Sequence, residues 1–333
     1  MKKILFIIKN KNEASSRFRV SAYLPYLKND FNSEIFYAEY NNQKVPKIFR
    51  SFIKRFRFLF LLLSVKQYDV IFMQRPMSSD KTKGTTFERL ITKFNSNLIF
   101  DFDDALFVQN ETKIKALCKL SKHIVCGNSY LYDFSNKYNK NSHIIPTTID
   151  TNSFVPSNSL DKPLVIGWTG TSGNYANFSD TLINTLSKII TNVNNISILF
   201  ICDKRPPEHF KFKYDFIKWE ESTELNDLQK IDIGIMPLID SEWTRGKCGF
   251  KLIQYGAIGI ASVGSNVGVN NQVIIDNETG FLINNEDEWL EKLNLMITEE
   301  KLRTKMGEKA REHIIKNYDT ANNYNKLYEI LMS

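Results

Sequence analysis

Four short segments hold the residues best suited to chemistry. The most informative is Trp243-Thr244-Arg245-Gly246-Lys247-Cys248-Gly249-Phe250-Lys251, which follows the apolar run DIGIMP and continues into LIQYGAIG. Its glycines leave backbone N–H groups open where a helix begins, and the helix dipole favours negative charge there. Arg245, Lys247 and Lys251 add three cations within seven residues. A diphosphate site fits this pattern better than a solvated basic loop.

The second segment, Asp101-Phe102-Asp103-Asp104, closes the apolar run LIF. Three carboxylates in four residues repel one another unless something compensates. A divalent metal, a general base or recognition of sugar hydroxyls would each account for them. The plainer alternative has Asp104 capping the next segment and Asp101 paired with a lysine. The third segment, residues 10–19 (NKNEASSRFR), offers Ser15 and Ser16 near a helix start with Arg17 and Arg19 just inside. Hydroxyls, open amides and guanidinium groups suit a phosphate-bearing ligand, although a simple cap with exposed arginines fits the same letters. In the fourth, Gly170-Thr171-Ser172-Gly173, small residues let the backbone approach an anion closely; by itself this is a weak signal.

Each of these segments sits where an apolar run ends. Runs at 4–8, 34–37, 70–73, 98–102, 123–126 and 143–145 read as strands, with helical periodicity over 19–27, 48–65, 87–94 and 131–138 between them. The pattern restarts with strands at 164–168, 196–201, 216–218, 233–236, 260–263 and 280–283. Helices fall at 179–190, 224–230 and 250–256, and residues 286–331 are helical. Alternation of this kind predicts α/β layers with parallel sheets, and such sheets collect ligands beyond the carboxyl ends of their strands. At 333 residues the chain is long enough for two domains. The expected division is residues 1–150, a polar linker over 151–163, a second domain over 164–315, and a terminal helix over 316–333 packing back on the first.

Bulk properties narrow the class. Four scattered cysteines without a CxxC pair read as free thiols in a reducing cytoplasm, and no metal site is expected. The opening MKKILFIIKNKN has an apolar run too short for a signal peptide and reads as a first buried strand. No stretch approaches the roughly 20 apolar residues of a spanning helix. Charge is uneven: residues 1–150 hold 25 basic and 13 acidic residues, and the remainder 19 basic and 24 acidic. Much of the excess lies in residues 44–66 (KVPKIFRSFIKRFRFLFLLLSVK), which contain no acid. Basic and apolar residues interleaved on a helix suit an anionic membrane surface; a core-facing helix with basic solvent positions is the alternative. Nucleic-acid binding is not expected, because no helix-turn-helix, zinc-finger or RNP-type signature is present. No GxGxxG follows either first strand, which disfavours a dinucleotide oxidoreductase.

Taken together, ASSRFRV, FDFDDALF, CGNSYL, IIPTTIDTNSF, IGWTGT, DIGIMPL, GKCGFKLIQYGAIG and NETGFLI resemble a retaining glycosyltransferase of the large bacterial family 4. The resemblance runs over nearly the whole chain. It implies the GT-B fold, with two Rossmann-like doubly wound parallel-sheet domains facing a central cleft. It also implies metal-independent transfer of a sugar, hexosyltransferase-type and retaining, from a nucleotide-sugar donor held mainly by the second domain. The acceptor would be a glycan or lipid-linked molecule in O-antigen, capsule or similar surface-polysaccharide synthesis. The enzyme would be cytoplasmic, peripheral on the inner membrane through residues 44–66.

Carried over by position, Thr171, Ser172 and the stretch from Arg245 through Gly246, Lys247, Cys248, Gly249 and Phe250 to Lys251 would hold the donor diphosphate. Gln254 and Trp219 would face the nucleotide, and Ser15, Ser16, Arg17, Arg19 and Asp104 the acceptor or a phosphate. Asp103, Lys247 and Lys251 would be catalytic. Two departures stand out. The family's Glu-x7-Glu reads Gly246 and Gln254 here, and the loop after Trp168 lacks the usual diphosphate-gripping Arg and Lys. These departures keep open a non-catalytic sugar-nucleotide binder, and a GT-B nucleotide-sugar epimerase is a further alternative.

Overall fold

Near-continuous apolar runs become the strands of two parallel sheets. The computed structural model describes residues 1–39, 46–77, 84–157 and 163–333, with the backbone alone for 47, 48 and 51. The first sheet contains β1 (Lys2–Ile8), β2 (Phe31–Tyr37), β3 (Val70–Gln74), β4 (Leu98–Phe102), β5 (His123–Cys126) and β6 (Ser142–Ile144). Their order is β2-β1-β3-β4-β5-β6, every pairing parallel. β3 and β4 are buried along their whole length, as strands covered on both faces must be. Around them lie α1 (Ala14–Arg19), α2 (Leu24–Leu27), α3 (Lys47–Ser64), α4 (Thr86–Phe94), α5 (Leu106–Leu120) and α6 (Ser129–Ser135).

The second sheet contains β7 (Leu164–Gly170), β8 (Ile196–Cys202), β9 (Asp215–Lys218), β10 (Ile233–Met236), β11 (Ser262–Ser265) and β12 (Gly280–Ile283). It runs β12-β11-β10-β7-β8-β9 and is again wholly parallel. Its helices are α7 (Asp180–Asn192), α8 (Glu224–Leu228), α9 (Glu242–Arg245), α10 (Phe250–Ala257), α11 (Asn270–Val273), α12 (Glu288–Thr298) and α13 (Glu300–Tyr318); the last helix, α14 (Thr320–Met332), packs mostly with the first sheet. The start of α7 is fixed by Ser179, whose hydroxyl accepts from the Leu182 N–H at 3.1 Å.

Two compact units result. The first comprises Met1–Thr148, Gly246–Cys248 and Asn323–Ser333, and the second Ile149–Arg245 and Gly249–Asn322. Leu327, Ile330 and Leu331 of α14 are buried in the first core with Ile4, Phe6 and Phe72. The second core gathers Trp168, Phe178, Phe200, Phe210 and Trp289. The division falls at Thr148, and Ile149–Asn152 already belong to the second unit. Thr151 donates through its backbone N–H and its hydroxyl to Asp319, at 3.1 and 2.6 Å. The expected linker over 151–163 is therefore folded at its start, and its residues 158–162 lie outside those described.

Among the elements that differ from the sequence expectation, three are instructive. The helix expected over 19–27 is interrupted at its start: α1 already spans Ala14–Arg19, Val20 leaves helical geometry at φ −126°, ψ −61°, and helical turns resume at Ser21–Tyr23 and in α2. α5 has no counterpart among the expected helices. Its weak amphipathicity and the non-helical Asn110 (φ −156°, ψ 78°) blur the period that sequence reading relies on. The expected terminal helix over 316–333 is two elements, since Asp319 is extended (φ −65°, ψ 140°) between α13 and α14.

Both strand orders contain a reversal point. In the first sheet β1 pairs with both β2 and β3, and in the second β7 lies between β10 and β8. Loops leaving β1 and β3, or β7 and β10, are thus neighbours at the carboxyl end of their sheet. This is where open parallel sheets bind ligands.

Candidate active site

In the first unit the four-residue acidic segment is neutralised by arginines, not left open. Arg19, at the last turn of α1, is buried and pairs with Asp101 through Nε (2.8 and 3.0 Å) and Nη2. Its Nη1 donates to the Ile145 carbonyl at 3.0 Å. Burial alone would lower the guanidinium pKa, but the Asp101 charge outweighs it and raises it. The expected lysine partner of Asp101 is thus this arginine. Arg19 ties β4 to the chain after β6 instead of pointing to a ligand.

Arg75 answers the other two carboxylates. Its Nε donates to Asp103 Oδ1 at 3.2 Å and its Nη2 bridges to Asp104. Burial raises the Asp103 carboxyl, but Arg75 and then Arg19, with a hydrogen bond from Ser15, bring it below its ordinary value. Asp104 goes the other way: its burial and the adjacent Asp103 charge outweigh Arg75 and Lys247. Arg75 was not legible as a site residue. It is a single arginine before a proline, and its left-handed backbone (φ 64°) appears only in the structure.

Ser15 and Ser16 are buried at α1, and the Ser16 hydroxyl has no hydrogen-bond partner among the described residues. Arg17 stacks over the Phe18 ring at 4.7 Å. The segment Gly246–Cys248 belongs to this unit. Asn128 donates to the carbonyls of Gly246 and Lys247 at 3.1 and 3.0 Å, and the Cys248 thiol donates to the Asp103 carbonyl at 3.0 Å. Burial pushes the Cys248 thiol up to about 12. A Cβ at Gly246 would stand 2.8 Å from the Ala105 nitrogen, so this position has no room for the carboxylate of the Glu-x7-Glu pattern.

In the second unit the loops after β7 and β10 are neighbours. Lys251, in the first turn of α10, lies 5.4 Å from the centre of the Trp168 ring. A Cβ at Gly170 would come within 2.7 Å of Lys251 Cε, so Gly170 leaves the passage for this lysine. Gly249 precedes the helix at φ 64°, a left-handed conformation suited to glycine, and the amides of Phe250 and Lys251 follow. Arg245 forms a two-pronged pair with Asp240, 2.7 Å on both arms, on the exposed surface. Ser172 gives both its N–H (2.6 Å) and its hydroxyl (3.0 Å) to Asp203, whose carboxyl these bonds hold below its usual value despite some burial. Thr171 is exposed and accepts from Asn174 at 2.8 Å.

Trp219 and Gln254, 35 positions apart in sequence, meet on one carboxylate. The Trp219 indole N–H donates to Glu224 Oε1 at 3.2 Å and the Gln254 amide to the same atom at 3.0 Å. Glu224 and Gln254 are buried. Glu224 was missed in the sequence, where it is one acid among several in KWEESTEL. An amide rather than an acid at 254 is what lets this contact form. Among the described residues, no three His, Cys, Asp or Glu side chains are grouped to hold a metal ion.

Residues 211–313 match the family model "Glycosyl transferases group 1". This group 1 domain takes in Trp219, Glu224, Arg245, Lys251 and Gln254. No curated protein matches the sequence. Among solved structures, Anabaena HepE in complex with UDP and glucose is similar, with 11% identity, all of both chains covered and a TM-score of 0.74. Sucrose-phosphate synthase from Thermosynechococcus elongatus shares 12% identity over 100% of this chain and 98% of its own, at a TM-score of 0.77. The lipopolysaccharide outer core galactosyltransferase WaaB shares 11% identity over 99% of each chain, at a TM-score of 0.66. The fold carrying the group 1 domain is thus the GT-B fold. No helix among the described residues is long and apolar enough to cross a membrane.

Proposed function

We propose that the chain is a retaining glycosyltransferase of family 4, which moves a sugar from a nucleotide-sugar donor to a glycan or lipid-linked acceptor. The group 1 domain and the fold support transfer, and a UDP donor is consistent with the HepE complex, which contains UDP and glucose. The observation that carries the donor assignment is Lys251 beside Gly170, at the helix start after Gly249. A left-handed glycine at a helix start, with one cation held beside Gly170 at a sheet reversal point, suits a leaving diphosphate as its charge develops. In that reading the Trp219–Glu224–Gln254 group holds the nucleoside, and no metal is needed. Nucleoside diphosphate departs through an oxocarbenium-like transition state and the acceptor hydroxyl attacks from the same face. Asp103, ionised beside Arg75, faces the sugar or acceptor. A role in O-antigen, capsule or similar assembly fits a likeness to WaaB. In such a role the protein works at the cytoplasmic side of an anionic membrane.

Thermal shift with UDP-, GDP-, ADP- and CMP-sugars, followed by NMR of the anomeric proton in the product, tests the reading. Stabilisation by one donor and a product of unchanged anomeric configuration is the expected result. Stabilisation without turnover would favour a sugar-nucleotide binder, which the absence of a side chain at Gly246 also favours. An epimerised donor formed without acceptor would favour the epimerase. No stabilisation by any donor would overturn all three.

A further inference from the structure

Helix α3 carries apolar residues on two opposite faces. Its inner face is packed: Leu61 is buried, and Phe58 meets Phe87 edge-on at a ring separation of 4.3 Å. Its outer face carries Phe49, Phe52, Phe56, Leu59, Phe60 and Leu63, each more than half exposed. These are six of the seventeen exposed large apolar side chains among the described residues, so the concentration is local. At about 100° per residue they fall in a stripe roughly 100° wide and about 21 Å long. Arg50 and Arg57 border the stripe on one side and Arg55 on the other; Lys54 lies behind Arg50. The helix has no acidic residue. A helix that merely packed on its own domain would turn its basic positions outward and keep phenylalanines inside. Here six large apolar side chains share the exposed side of the helix with Lys54 and Arg55.

We infer that α3 is an interfacial insertion helix. Its Phe/Leu stripe enters the acyl boundary of an anionic bilayer, and its flanking arginines sit at the lipid phosphates. The inference rests on the proposed function only for its purpose, which is delivery of a lipid-linked acceptor. It sharpens surface attraction into insertion. An interfacial helix sinks its apolar face by roughly 5–10 Å, which a stripe of ring-bearing side chains spans. Isolated apolar residues on a surface need no explanation, but a continuous patch does. A second copy of the chain is a poorer occupant: two stripes face to face would also bring two sets of like-charged arginines together, whereas lipid phosphates neutralise them. Arg57 keeps its backbone partner, donating to the Tyr37 carbonyl at 2.9 Å and lying 5.1 Å from the Phe36 ring, so it fixes the helix to β2 as well. Lys44, the first basic residue of the segment, lies outside the described residues.

The test uses the full chain with vesicles of phosphatidylcholine alone or with phosphatidylglycerol. Phe56→Trp places a reporter in the stripe. Its emission is expected to shift to shorter wavelength and be quenched by lipids brominated on the acyl chain. Phe52→Ser with Phe60→Ser is expected to lower vesicle binding at least about tenfold, at low salt and at about 0.5 M salt alike, because insertion is not screened. Lys54→Gln with Arg55→Gln is expected to weaken binding to anionic vesicles at low salt. Reporter emission that bound vesicles leave unchanged, or binding lost entirely in salt, would overturn insertion. Dimerisation without lipid that the serine pair abolishes would overturn it in favour of a second copy. Donor stabilisation by a soluble nucleotide-sugar is measured in parallel. Its loss with insertion intact would sink the transferase reading alone, and the reverse result would sink only the insertion.

Discussion

Arg75 Nε stands 3.2 Å from Asp103 Oδ1, and the same guanidinium reaches Asp104. One cation therefore serves two adjacent carboxyls, pulling the first below its ordinary pKa while the second rises. The arginine does this from a left-handed backbone at the end of β3, directly beside the strand end that carries the acids. Strain at a strand end next to paired acids is where positioning work is expected.

Removing that cation should change the acid side of activity. With Arg75→Gln the burial of Asp103 is no longer offset, so its pKa rises. The acid limb of the pH profile of kcat/KM is expected to move to higher pH. In the native chain a carboxyl held below its unfolded value of about 3.9 adds stability above that pH, and loses it as pH falls through the folded value. Acid unfolding of Arg75→Gln should therefore begin at higher pH than in the native chain. An unshifted limb and unshifted acid unfolding would refute the pairing.

Arg19 has a structural prediction attached. Breaking a buried ion pair from one side strands the other charge at a cost of about 3–5 kcal/mol. Arg19→Met should lower stability by that order in urea unfolding, because Asp101 is left buried. The double variant with Asp101→Leu should recover much of the loss. A single variant as stable as the native chain would contradict the buried pair.

The two lysines of the diphosphate assignment should behave alike in turnover. Loss of one fixed donor to a developing oxyanion costs about 2.7–4 kcal/mol in the barrier. Lys247→Ala and Lys251→Ala are each expected to lower kcat by roughly 10²–10³-fold, following that figure, with far-UV circular dichroism unchanged. Wild-type turnover in both would remove the assignment.

Restoring an acid at position 254 should harm this protein. Glu224 already accepts from the Gln254 amide and the Trp219 indole in a buried setting. Gln254→Glu would set two carboxylates together and cost about 1–3 kcal/mol unless one stays protonated. Thermal melting is expected to fall, and to fall further as pH rises and both acids ionise. Higher donor affinity and an unchanged melting temperature would show that Glu224 is not committed to Gln254.

The strand runs, their alternation with helices and the glycine before α10 were legible because each is a local pattern. Buried parallel strands are near-continuous apolar runs, and a left-handed helix start selects glycine. The basic character of residues 44–66 was equally plain, yet composition alone left the direction of its faces open. The outward placement of Phe52 and Phe56 depends on which side of α3 meets Phe87. Partner choice was hidden for the same reason. The compensation of Asp101, Asp103 and Asp104 comes from Arg19 and Arg75, tens of residues away in sequence, and the carboxylate beside Gln254 comes from α8. Local physics in the sequence determined which elements form and which charges exist. Only the strand order at each sheet's reversal point decided which distant charges meet, since proximity across a parallel sheet is set by topology and not by spacing along the chain.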